Sequence, residues 1–217
     1  MLPFDRAAFL QIFAAYNEAG WPAQPIAWLL GVAALAALFR REQRVQRLAL
    51  WILAAMWFWT GLAYHWLFFS EINAAAILFG FLFMLQSGLL ARMALRGDLA
   101  FRFGRRSGAR WIGGVGLIGY ALIAYPLIDL ALGHWPRVPA FGISPCPVTL
   151  FTLGLLLLAR PTPPAWLWAV PVAWSLIGGT AAFLLGVPQD WVLLASGPAA
   201  LMIAFTPRQR TKVAHSR

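Results

Sequence analysis

An all-α, polytopic membrane bundle is the fold class this sequence predicts, and three observations carry that prediction. Of its 217 residues 61% are hydrophobic and only 11% are charged, with a mean hydropathy of +0.72. A soluble domain of this size could not hide so much apolar surface, whereas a bilayer solvates spans of about 20 apolar residues. The apolar residues also form seven separate runs, at 25–40, 47–69, 73–95, 110–132, 145–160, 165–187 and 190–206. Charges, Pro or Gly lie between them, as they do at the ends of membrane helices.

The third observation is the placement of charge. Numbered alternately, one side of the runs collects Arg40, Arg41, Arg44 and Arg47, six arginines from Arg92 to Arg110, Arg160, Arg208, Arg210, Lys212 and Arg217. The other side holds only Arg6 and Arg137. Fifteen basic residues against two is a positive-inside pattern, which predicts about seven transmembrane helices with the N-terminus outside and the C-terminus cytoplasmic.

Ahead of the first run, Phe9, Ile12, Phe13 and Tyr16 recur at helical spacing, and Asp5 is placed to cap that helix. This predicts an amphipathic helix over 1–20, lying on the outer face or packed over the outer ends of the spans. The transmembrane domain then occupies 21–207, and 208–217 form a basic cytoplasmic tail. The first 20 residues lack the charged start and continuous apolar stretch of a cleavable signal peptide, so they are expected to remain in the mature protein.

Composition and motifs remove several classes of function. The net charge of +10 lies in short clusters between apolar runs, where it sets orientation rather than binding nucleic acid. One cysteine excludes an intrachain disulfide framework and a CxxC pair. The only lysine is Lys212 in the tail, so no retinal Schiff base can form within a span. No nucleophile elbow, zinc-protease spacing or nucleotide loop is present; the "GGVGLIG" of residues 113–119 lies inside a span and reads as helix packing. No catalytic residue is assigned.

The polar residues of the spans and turns gather on the side away from the arginines. His65 ends the second run and Tyr64 precedes it; Glu71 and Asn73 form the next turn. Asp129 and His134 close the fourth run, and Gln189 and Asp190 form the last outer turn. Ionisable groups at or below a membrane interface usually pair, line a wet cavity or do chemistry.

The stretch "FGISPCPVTLF", residues 141–151, adds the one cysteine. Ser144 is placed as an N-cap, Pro145 at the first helical position and Cys146 at the second. A helix from Pro145 to Arg160 would be about 16 residues, or roughly 24 Å, short of the roughly 30 Å hydrocarbon core. Its start would therefore lie below the outer interface, and "PAFGIS" would enter the membrane as non-helical backbone, which is tolerated only against protein or a wet cavity. A thiol at a helix N-terminus favours soft metal cations.

Together these residues predict a small permease or channel with an outward-facing polar cavity. His65, Asp129, His134 and Cys146 are the candidate ligands for a transition-metal cation, and Tyr64, Glu71, Asn73 and Asp190 the candidate contacts of a small solute. The alternative is an accessory or haem-binding subunit of a larger complex, with His65 and His134 as axial ligands. The expected partners are the lipid bilayer and either further copies of the chain or another membrane subunit.

At "AAYNEAGWPAQ" (14–24), "WFWTGLAYHWLFF" (57–69) and "FGISPCPVTLFTLGLLL" (141–157), the chain resembles an uncharacterised family of bacterial multi-pass inner-membrane proteins, a domain-of-unknown-function family some of whose members are labelled permease. The resemblance implies the membrane architecture and a location in a bacterial inner membrane. It supplies no site residues.

Overall fold

The computed structural model describes residues 2–101, 108–131, 133 and 135–206, the side chain of Asp129 apart. Nine helices follow one another among the described residues: α1 (Arg6–Ala19), α2 (Ala23–Leu38), α3 (Gln43–Trp59), α4 (Ala76–Arg96), α5 (Ala109–Gly119), α6 (Tyr125–Ala131), α7 (Pro145–Leu158), α8 (Trp166–Leu184) and α9 (Trp191–Phe205). Wide π-helical turns extend α3 over Thr60–Phe68 and join α5 to α6 over Tyr120–Ala124.

Four segments are long and apolar enough to cross a membrane: Gln43–Glu71, Ala76–Arg96, Ala109–Ile128 and Trp166–Leu184. A fifth is counted if α1 and α2, bent by 85°, are taken together. Taken singly, α1, α2, α7 and α9 have 14, 16, 14 and 15 residues, below the roughly 20 a perpendicular span needs. The protein is thus all-helical with four to five candidate spans, and the count of seven rests on the apolar runs alone.

Large apolar side chains cover the outside of the bundle, among them Leu29, Ile112 and Met202, which are 61%, 63% and 67% exposed. An aqueous surface would not carry so many; hydrocarbon accepts them.

The centre is α7, in which all 14 residues from Pro145 to Leu158 are buried. Lipid gives apolar residues no reason to leave it for one another, so helices associate through close packing and hydrogen bonds. Both occur here. A Cβ on Gly114 of α5 would lie 3.0 Å from the carbonyl oxygen of Gly154 in α7, and one on Gly154 would lie 2.8 Å from that of Gly114. The two backbones touch because neither residue has a side chain. On the α3 side, Trp57 donates its Nε1–H to Thr152 Oγ1 at 2.8 Å, and Ser87 of α4 donates to Ala54 O at 2.7 Å.

Both ends of α7 are built in. At its C-terminus Arg110 donates from Nε to Leu157 O at 3.1 Å and from Nη2 to Ala159 O at 3.3 Å. A guanidinium there satisfies carbonyls the helix leaves open and complements its dipole. The helix ends at Leu158, two residues earlier than expected, because Ala159–Arg160 leaves as a short strand, β2, paired antiparallel with β1 (Ala100–Phe101). Gln46 closes this corner, accepting from Phe101 N–H at 2.8 Å and donating to Phe101 O at 2.7 Å.

At the other end Pro145 takes the first helical position and Ser144 the N-cap position, as expected, but the serine side chain does not cap. Its Oγ turns back to accept from Ala140 N–H at 3.0 Å. Pro147 removes the N–H of the third helical position, one of the two a capping side chain would serve, and Ser144 instead braces the loop before the helix.

The glycine contact yields a paired prediction. Gly114→Ala is expected to lower the thermal unfolding midpoint of the detergent-purified protein, because forcing two touching backbones apart costs about 1–3 kcal/mol. Gly116→Ala, in the same helix and with nothing within 4 Å of its Cβ position, is expected to leave the midpoint unchanged.

Candidate functional site

The loop 138–144 is non-helical yet buried, with Val138, Phe141 and Ile143 each no more than 4% exposed and Ser144 fully covered. Buried irregular backbone needs hydrogen-bonding partners, and α1 supplies them. Tyr16 donates its hydroxyl to Ile143 O at 2.8 Å. Asn17 donates Nδ2–H to Pro136 O at 2.7 Å and to Val138 O at 2.8 Å. Trp59 in turn donates to Tyr16 Oη at 2.8 Å. The amphipathic helix is started by Asp5, whose Oδ1 accepts from Ala8 N–H at 2.8 Å. It lies across the end of the bundle with Phe9, Ile12, Phe13 and Tyr16 buried and clamps the loop in front of α7.

Between α1, the π-helical end of α3, the start of α7 and the second half of α8 is a cavity of about 440 Å³, within the 300–1,000 Å³ or so of small-molecule sites. Its walls are mostly aromatic and aliphatic, with Phe9 and Phe13 from α1, Tyr64, Phe69 and Phe79, and Trp174 from α8. Phe13 stacks on Tyr64 at 5.2 Å, and Tyr64 on Phe69 at 5.5 Å. Five residues bring polar groups to it besides the indole of Trp174: Tyr64, Asn73, Cys146, Thr180 and Asp190.

Asp190 is completely buried. Its Oδ1 accepts from Tyr125 Oη–H at 2.5 Å, while Oδ2 has no hydrogen bond of normal geometry. The same holds for Trp174 Nε1. Both groups face the Cys146 thiol, a weak donor and a weak acceptor that satisfies neither well. Asn73 is engaged locally, its Oδ1 accepting from Ala75 N–H at 3.1 Å.

Of the residues expected at a solute site, Tyr64, Asn73 and Asp190 therefore line one cavity, and Cys146 joins them there. Glu71 is exposed and does not line it. His65 is fully buried, with Trp174 at 5.0 Å and Phe83 at 4.6 Å between ring centres. It stands behind the cavity wall, and neither ring nitrogen has a partner. It lies in the π-helical turns that extend α3, where its neighbour Tyr64 is buried as well. His134 and the Asp129 side chain lie outside the described residues. Among the described residues no three of His, Cys, Asp or Glu come together as a metal would require.

The sequence reading missed Trp174, for a plain reason: in a chain with 12 tryptophans one more carries no signal. It also missed Tyr125 as the partner that orients Asp190, since 65 residues separate them.

A model of a family of unknown function, DUF6064, matches residues 6–216, and the chain belongs to that family. No curated protein and no solved structure matches it.

The clamp on the loop is testable through the cysteine it guards. Asn17→Ala leaves the buried Val138 carbonyl and the half-buried Pro136 carbonyl without their donor, at about 1–3 kcal/mol for an unsatisfied buried group. The variant is expected to unfold at lower temperature, and its Cys146 to react faster with N-ethylmaleimide, followed by intact mass.

Proposed function

We propose that this member of the DUF6064 family is an integral membrane protein that binds a small, mostly apolar solute in the cavity beneath α1, as the binding step of a permease. One observation carries the reading: a 440 Å³ aromatic cavity whose wall holds two buried polar atoms left without normal partners, Asp190 Oδ2 and Trp174 Nε1. A buried polar group left unsatisfied is expensive, and intramembrane ionisable groups usually serve a function. A solute that completes these hydrogen bonds would relieve that expense and gain the apolar contacts as well.

The basic residues support an orientation with the α1 end outside and the arginine-rich end in the cytoplasm of a bacterium. In that orientation the cavity belongs to the outer half of the protein. A transition-metal cation on His65, Asp129, His134 and Cys146 has less support. His65 is walled off by rings, and no group of three candidate ligands forms among the described residues. A haem on His65 and His134 meets the same enclosed histidine.

Cys146 is the only cysteine, so its modification reports on the cavity alone. In phosphatidylcholine nanodiscs, N-phenyl-1-naphthylamine, an apolar probe with one N–H donor, is expected to slow the reaction of Cys146 with N-ethylmaleimide saturably, at one probe per chain. A reaction rate that does not change at any probe concentration would remove the solute-binding reading.

A further inference from the structure

The cavity has a direction. Most of its polar groups lie in the buried lining: Asp190 is fully covered, Tyr64 is 1% exposed, Cys146 4% and Trp174 7%. Its exposed lining belongs to one face of α8, where the large side chains Leu176, Ile177 and Leu184 are 44%, 43% and 65% exposed and Thr180 is the one polar residue among them. Leu176, Ile177 and Leu184 lie in the half of α8 nearest α1, and α8 is one of the four helices long and apolar enough to cross the bilayer. Large aliphatic side chains on such a helix face hydrocarbon. The mouth of the cavity therefore opens sideways into one leaflet, rather than upward into water.

A lateral mouth with polar groups at its inner end suits an amphiphile entering head first, its tail left among the lipids. The two unpartnered atoms narrow the head group further. Asp190 Oδ2 is an acceptor, and Trp174 Nε1 is a donor with no acceptor capacity of its own. Both meet the same thiol, which gathers them at the inner end of the cavity. A hydroxyl is both donor and acceptor through a single oxygen. An ammonium would leave the indole N–H unanswered, a carboxylate would set like charge against Asp190, and an alkyl end would satisfy neither.

Resting on the solute-binding reading above, we infer that the ligand is a hydroxyl-headed lipophile, an alcohol or phenol on an apolar chain. It is taken from the leaflet on the α1 side through the mouth beside Ile177. Its hydroxyl donates to Asp190 Oδ2 and accepts from Trp174 Nε1, in place of the weak contacts both make with the Cys146 thiol.

The experiment compares four probes with one tail, 1-dodecanol, dodecylamine, dodecanoic acid and dodecane, at equal mole fraction in phosphatidylcholine nanodiscs carrying the full chain. The readout is the slowing of Cys146 modification by N-ethylmaleimide. Dodecanol is expected to protect at concentrations at least about tenfold below dodecane, the worth of one net hydrogen bond. Trp174→Phe, which keeps a ring but loses the N–H, is expected to remove most of that preference. Ile177→Trp, which narrows the mouth without touching the polar groups, is expected to weaken protection by all the probes together. If N-phenyl-1-naphthylamine protects Cys146 but the amine, the acid or the alkane matches or exceeds dodecanol, the hydroxyl inference is overturned and solute binding stands. If no probe protects, both are overturned.

Discussion

Everything in this bundle is arranged around a short helix that has no outer face. Each of the 14 residues of α7 is buried, so its neighbours are positioned by how near they can come to it. In hydrocarbon that nearness cannot be driven by hiding apolar surface from water; it depends on backbone approach and on polar contacts between helices. The Gly114–Gly154 contact supplies the first, and the Trp57–Thr152 hydrogen bond the second. Larger residues at either glycine would push α5 away from α7.

A helix of 14 residues also leaves the bilayer unfilled at its ends, and the fold spends much of its polar chemistry there. At the arginine-rich end Arg110 and the β1–β2 corner absorb the carbonyls that α7 leaves open. At the other end the loop 138–144 descends to meet the helix. Tyr16 and Asn17 reach across from α1 to its carbonyls, and Ser144 Oγ takes the Ala140 N–H. The cavity is the remainder of that arrangement. Aromatic rings from α1 and the π-helical turns cover the start of α7 without filling the space beside it, and Asp190, Cys146 and Trp174 are left along its inner wall.

How much of the site was legible in the sequence depends on the residue. Cys146 and Asp190 stood out because a thiol between two prolines and a carboxylate among apolar runs are rare in such a chain. Tyr16 and Asn17 could be seen only as part of an amphipathic pattern, since nothing local says that a helix-surface amide will hold a loop some 120 residues away. His65 was misplaced toward an open vestibule. The rings that enclose it, Phe83 and Trp174, come from α4 and α8, and nothing local to His65 announces them.

By itself the sequence determined the class of the molecule: hydropathy and run length give a helical protein with segments long and apolar enough to span a membrane, and the asymmetry of 15 basic residues against two sets its expected direction. These are properties of single segments and of their ends, summed along the chain, so no partner is needed to read them. Tertiary structure decided what those segments do to one another. It made α7 a central rod rather than one more span and α1 a clamp rather than a surface float. It also placed the indole of Trp174 beside a carboxylate brought in from the next hairpin turn. Such relations hang on which faces meet and at what distance, and in a chain so rich in Leu, Ala and Trp many pairings have nearly the same apolar character. Small contact points, two glycines, one amide and one guanidinium, select among them.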